Sequence, residues 1–184
     1  FEQARHAAQS LKVELENGEV MPVDPATAAV EPQEAKTLDQ GDLDGAMQEA
    51  AFSVDVTYTT PSHSSSPMEP HASIASWDGN GRVSIWSSLG RITLGREDLA
   101  RTLELPQSKI RLIGTIVGGN FGGKNEITTE PILAMLSRKT GRPVKSVYTR
   151  GDEFISSTIR HPFTMDYKTG VMNDGTIAAR KIRI

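Results

Sequence analysis

The run Gly118-Gly119-Asn120-Phe121-Gly122-Gly123-Lys124-Asn125 constrains this chain more than any other stretch. Four glycines within six positions do not serve a helix or strand interior, where each costs about 0.5–1 kcal/mol relative to alanine. They serve a backbone that passes through positive φ or comes close to something bulky. The apolar, β-branched segment Lys109 to Val117 precedes the run and predicts a strand. A helical pattern opening at Ile127 or Thr128 follows it. A strand, a glycine loop and a helix N-terminus together present unpaired N–H groups to negative charge. The expectation is a loop that holds an anionic ligand.

The run nearly matches a nucleotide-binding loop: Gly118, four residues, Gly123 and Lys124 have the right spacing. The Ser or Thr that would hold Mg²⁺ is replaced by Asn125, and Phe121 puts a ring where a phosphate cradle needs small residues. Asp152 is the nearest candidate for the second metal contact. A P-loop-like nucleotide or phosphate module therefore stands as the alternative reading, marked by stabilisation with ATP that needs Mg²⁺. Lys124 has two readings here, a phosphate counter-charge or a solvent-facing side chain.

Several further segments resemble one family. Gly-Gly-X-Phe-Gly-Gly-Lys is similar to the cofactor loop in the large, molybdopterin-binding subunit of the xanthine dehydrogenase and aldehyde oxidase family. Met68-Glu69-Pro70-His71 resembles its Leu-Glu-Pro-His segment, and Arg160-His161-Pro162-Phe163 matches its Arg-His-Pro-Phe segment. Tyr167-Lys168-Thr169-Gly170 and the corner Lys139-Thr140-Gly141-Arg142-Pro143-Val144 continue the similarity in the same order. The matches run from about residue 68 to the end of the sequence.

The resemblance implies that residues 118–124 bind a molybdenum–pterin cofactor, as molybdopterin or its dinucleotide. Those residues are Gly118, Gly119, Asn120, Phe121, Gly122, Gly123 and Lys124. It implies hydroxylation of an aldehyde or N-heterocycle with water as the oxygen source. Phe121, Asn125 and Leu89 are the residues it places at the substrate pocket. Leu89 stands where many members carry a Gln near the metal, and Asn120 where a third Gly is usual. Asn125 stands where purine-oxidising members place a substrate-binding Glu, which argues against a purine. The family's general-base glutamate sits in a Gly-Glu-Pro setting, and no such string occurs here. No catalytic residue is expected within these residues, and the isolated chain is expected to be inactive. A non-catalytic structural homologue is the third reading, with Leu89 as its main support.

Glu69 is either an acceptor near the site or a structural carboxylate. Phe121 is either a core anchor or a wall of the site. His71 and His161 could pair as metal ligands, but no third ligand lies at a recognisable spacing. No direct side-chain ligation of a metal is expected. Arg160 reads as a loop organiser or salt-bridge partner.

Zero cysteines exclude a disulfide, an iron–sulfur site or a thiolate ligand within these 184 residues. Iron–sulfur clusters and flavin are expected on other domains or subunits, with the remainder of the large subunit as a further partner. No apolar run approaches the length of a membrane span, no signal peptide is visible, and a cytoplasmic location is expected. The net charge of -3 hides ten Lys/Arg against four Asp/Glu from Arg138 onward. No aromatic-interleaved basic surface accompanies them, so nucleic acid is not an expected partner.

The start at Phe1, without Met, predicts a chain that begins mid-protein. Residues 1–40 read as the end of an N-terminal domain and a linker, and 41–184 as the first cofactor-binding domain. Helical spacing predicts a helix over Phe1 to Leu11, then a strand from Lys12 to Leu15, a turn at Asn17-Gly18 and an extended linker from Met21 to Asp39. The rest predicts an α+β domain: a mixed or antiparallel sheet with hairpins and two packed helices. Hairpins are expected around Asp78-Gly79-Asn80-Gly81 and Asn173-Asp174-Gly175. Separated from a second cofactor domain, the fragment is expected to form a homodimer or be weakly stable.

Overall fold

The computed structural model describes residues 2–14, 16, 18 and 36–184. It divides into two units, Phe1–Gly41 and Asp42–Ile184. In the first unit, helix α1 spans Glu2–Gln9, and every described residue is exposed. Residues 12–14 carry no strand, which corrects that expectation up to Leu15, itself outside the described residues. With no neighbouring strand among the described residues to complete a ladder, β-propensity there has nothing to act on. Asn17 and most of the expected linker also lie outside the described residues.

The second unit begins with α2 (Leu43–Glu49), capped by the Asp42 carboxylate, which accepts the Gly45 N–H at 2.9 Å. Strand β1 (Phe52–Thr60) pairs antiparallel with β8 (Phe163–Val171), and β8 pairs with β9 (Ile177–Arg183). This three-stranded sheet leaves Phe52, Val54, Tyr58 and Ile182 about half exposed or more on one face. Gly170, on the opposite face, leaves room for Met47 of α2 and for Ala50 just beyond its end. The two-residue strands β2 (His63–Ser64) and β7 (Ile159–Arg160) form a small second ladder.

The core lies under a four-stranded sheet ordered β5-β4-β3-β6. Its strands are β3 (Ala72–Trp77), β4 (Val83–Ser87), β5 (Ile110–Gly114) and β6 (Val144–Val147). Helix α3 (Ile92–Thr102) carries the chain from β4 to the parallel strand β5. Helix α4 (Glu130–Thr140) then leads to β6, antiparallel to β3. Ala75, Val83, Ile85, Leu99, Ile110, Leu133 and Ala134 form the core. Fully burying Ile85 or Leu99 contributes roughly 1.5–3 kcal/mol each. Trp77 fastens α4 to the sheet by donating its indole N–H to the Ala134 carbonyl at 2.6 Å.

Two boundaries differ from the sequence reading. The strand expected through Val117 leaves the sheet after Gly114, and Ile116 is 95% exposed. The helix expected from Ile127 or Thr128 begins at Glu130. Ile127 packs against the core instead, and the Glu130 carboxylate accepts the Thr128 N–H at 2.7 Å. The α+β class, both hairpins and the two packed helices are as the sequence predicts.

Candidate functional site

Residues 118–123 leave β5 and return toward α4 as an irregular loop. Its backbone passes through positive φ three times, at Gly119 (103°) and Gly122 (92°), which accept it freely, and at Phe121 (50°), which is strained. A non-glycine residue in this left-handed region costs about 1–2 kcal/mol. Gly119 also lacks space, since a Cβ there would lie 3.1 Å from the Phe121 ring and 3.3 Å from Pro67. At Gly122, by contrast, a Cβ would enter open space.

The loop's ends are bonded and its middle is not. Gly118 N–H donates to Glu69 Oε2 at 2.8 Å, and Glu69 N–H donates to the Gly118 carbonyl at 3.1 Å. Gly123 N–H donates to the Asn120 carbonyl, and Lys124 N–H to Asn120 Oδ1 at 2.8 Å. The N–H groups of Gly119, Asn120, Phe121 and Gly122 have no acceptor among the described residues. Beside Phe121 and Gly122 lies an open cavity of about 660 Å³, lined also by Glu126, Thr158, Arg160, Phe163 and Met165 among others. Consecutive free donors beside a cavity suit an anionic group.

The structure revises several expectations for these residues. The helix N-terminus does not join the loop: Glu130 covers the start of α4 with its own carboxylate and is 1% exposed. The carboxylate also accepts hydrogen bonds from Ser73 and Ser87 at 2.8 and 2.6 Å, so this helix end holds a built-in anion. Lys124 neither faces solvent nor offers its ammonium to a ligand. It is fully buried, with Nζ 2.7 Å from Glu69 Oε2. Burial opposes ionisation of Glu69, but the hydrogen bonds from Lys124 and Gly118 outweigh it and hold the carboxyl below its ordinary range.

Phe121 is not a core anchor; its side chain is 80% exposed. Leu89 is 3% exposed and faces Gly95, where a Cβ would collide with it. Asn125 accepts a hydrogen bond from the Asn120 side chain at 2.9 Å and borders a different surface hollow from Phe121. Phe121, Asn125 and Leu89 therefore do not line one cavity. Arg160 stacks its guanidinium over the Phe163 ring at 5.5 Å.

His71 and His161 do not converge as ligands: His161 is exposed, whereas His71 is buried and bonded on both ring nitrogens. Among the described residues no cluster of three or more His, Cys, Asp or Glu could hold a metal ion.

Glu153 is the residue that sequence reasoning missed. It sits on α5 (Arg150–Ser156) and is fully buried. Its carboxylate receives His71 Nδ1 at 2.8 and 3.0 Å and the His71 backbone N–H at 3.0 Å. His71 Nε2 meets the Gly123 carbonyl at 3.1 Å, which also accepts from Thr158 Oγ1 at 3.2 Å. The local signal was present in the capping box Thr149–Asp152, which fixes where α5 begins. Its partner, 82 positions away, left no local trace.

With this geometry in place, comparison with known proteins is decisive. The molybdopterin cofactor-binding domain family matches residues 1–184. The chain belongs to that family. It is 40% identical over 185 residues to the aldehyde oxidoreductase molybdenum-binding subunit PaoC of Escherichia coli K12, covering 97% of this chain and 25% of that one. It is 34% identical over 151 residues to the nicotinate dehydrogenase large molybdopterin subunit of Eubacterium barkeri, covering 82% of this chain and 36% of the relative. The aldehyde oxidoreductase structure from Desulfovibrio gigas superposes with a TM-score of 0.80 at 26% identity, over 98% of this chain and 21% of that one. The chain thus spans between 15% and 36% of the length of these and other curated relatives it matches. The P-loop alternative finds no support, and the structure gives a reason: the lysine it needs is buried against Glu69.

Proposed function

We propose that this chain forms part of a molybdenum hydroxylase large subunit and grips the cofactor's anionic portion through its glycine loop. The observation that carries this reading is the run of N–H groups from Gly119 to Gly122 without an acceptor among the described residues, with Phe121 and Gly122 bordering the cavity. The site fits such a group: Gly122 leaves open the space a side chain would fill. Fixed backbone donors stabilise negative charge without reorganising, which is the protein's usual contribution in cofactor enzymes. When bound, the molybdenum–pterin group supplies two-electron redox chemistry and transfer of oxygen from water.

The chain's own residues would then orient and enclose. Phe121, exposed next to the donors, would form an apolar wall for substrate. Lys124 supports the loop through Glu69 and does not touch the ligand. Glu69, Glu130 and Glu153 are each committed to internal partners, whereas Glu126 lines the cavity; following the family resemblance, whose base sits in a Gly-Glu-Pro setting, we assign the proton-accepting base to another part of the full subunit. The names of the relatives support an aldehyde or an N-heterocycle as substrate.

The division of the chain after Gly41 supports reading residues 1–40 as the end of a preceding domain and linker, although the family match spans both units. The exposed apolar face of β1, β8 and β9 supports cover by the rest of the subunit. Iron–sulfur and flavin groups belong, on this reading, to other domains or subunits. No described helix is long and apolar enough to cross a membrane.

The test is elemental and chemical analysis of the full-length subunit from its native host. Near-stoichiometric molybdenum and released pterin are expected. Their absence, in a host that loads its other molybdenum enzymes, would overturn the reading.

A further inference from the structure

Bonds within the glycine loop, from Gly123 and Lys124 to Asn120, hold only its second half. Three of its residues lie at positive φ, one of them Phe121, and the N–H groups of Gly119 to Gly122 make no internal bond among the described residues. Strained backbone of this kind persists only where its surroundings over-determine it. Beside the Asn120 bonds and the Thr158 bond to Gly123, one short segment, Met68-Glu69-Pro70-His71, grips the loop at both ends.

At the loop's start, Glu69 exchanges two hydrogen bonds with Gly118, at 2.8 and 3.1 Å. The same carboxylate oxygen, Oε2, takes the Lys124 ammonium at 2.7 Å, on the far side of the loop. A single oxygen thereby ties residue 118 to residue 124. Lys124 is fully buried, and a buried ammonium is tolerable only when paired.

Two residues on, His71 holds Gly123. A carbonyl oxygen only accepts, so His71 Nε2 carries the hydrogen that points at it. The ring is aimed by Glu153, which engages Nδ1 and the His71 backbone together. Glu153 is set in turn by α5 and its capping box. Both side chains are nearly inaccessible to water, at 4% and 0% exposure.

We propose that Glu69 and His71 are positioning residues, which hold the glycine loop in its donor-presenting form before any cofactor arrives. The inference rests on the cofactor reading for its purpose, but the brace itself can be measured without the cofactor. Lys124 becomes the counter-charge of Glu69 and is not a ligand of the anion.

The experiment uses the full-length subunit from a host unable to make the pterin. Hydrogen–deuterium exchange is followed in Glu69→Gln, His71→Asn and Lys124→Met, with the double variant Glu69→Gln/Lys124→Met for any fold loss caused by an unpaired ammonium. Exchange at Gly118, Gly123 and Lys124 should rise about tenfold or more in the Glu69 and His71 variants, with β3, β4 and β5 unchanged. The same variants made in a pterin-competent host should retain less molybdenum and pterin while staying folded. Unchanged loop exchange in both Glu69→Gln and His71→Asn would overturn the proposal. So would Lys124→Met losing cofactor with the loop still protected, since Lys124 would then act on the ligand directly. A wild-type subunit that never carries cofactor, with loops that still loosen in the variants, would sink the proposed function and leave the brace standing.

Discussion

Replacing Gly122 by alanine separates the loop's structural role from its binding role, because Gly141 supplies a matched control. Both glycines are left-handed, at φ 92° and 64°, and a Cβ at either meets nothing within 4 Å. The folding penalty for each is therefore backbone strain alone, about 1–2 kcal/mol. For a domain the size of Asp42–Ile184, each kcal/mol lowers Tm by about 3–4 °C. Both variants should melt lower by similar amounts. Their cofactor content should differ sharply. Gly141 caps the C-terminus of α4, whereas the new methyl at Gly122 lies beside the free donors and the cavity. Losing one hydrogen bond to a charged group costs about 1.5–3 kcal/mol, or roughly ten- to a hundredfold in affinity. The assay is molybdenum and pterin content per folded subunit, with calorimetry on the same samples. Equal cofactor loss in the two variants would show that stability alone is being read. Full retention in Gly122→Ala would remove the loop from the binding site.

Three other outcomes follow from the same geometry. Thr149→Ala removes the hydroxyl half of the α5 capping box, leaving the Thr149 N–H bond to Asp152, and should cost about 1 kcal/mol in urea unfolding, with looser protection of the Gly123 end of the loop. Leu89→Gln, which introduces the residue the family resemblance would place there, should destabilise by about 1–3 kcal/mol without raising turnover, because the site faces Gly95 in packed interior. The Glu69 carboxyl is held below its ordinary range in the folded state, so the bond to Lys124 is fully present above the unfolded carboxylate's pKa. It is lost only as pH falls through the depressed folded value. Loop exchange, corrected for intrinsic rates, should thus stay flat from neutral pH down to the carboxylate range and rise only in stronger acid. A rise between neutrality and that range would contradict the assignment.

The sequence by itself determined the local signals. Asp78 and Asn173-Asp174-Gly175 specify their turns through short-range bonds, as when Asp78 Oδ1 accepts from Asn80 and Arg82 N–H at 2.9 Å. Apolar spacing around Leu99 and Leu133 marked the two packed helices, and the glycine run marked a loop that a side chain would obstruct. Only the tertiary structure decided what each charged group does. Lys124 looked free because its partner lies 55 positions earlier, and His71 looked like a candidate ligand because Glu153 lies 82 positions later. Leu89 sat where a polar contact was expected, yet packing against Gly95 turned it inward. Parallel pairing of β4 with β5 was equally invisible, since the crossover through α3 carries no local turn signature. Short-range hydrogen bonds and periodicity are written in neighbouring residues. The partner of a buried charge is chosen by the folded chain, which must neutralise it wherever burial has placed it.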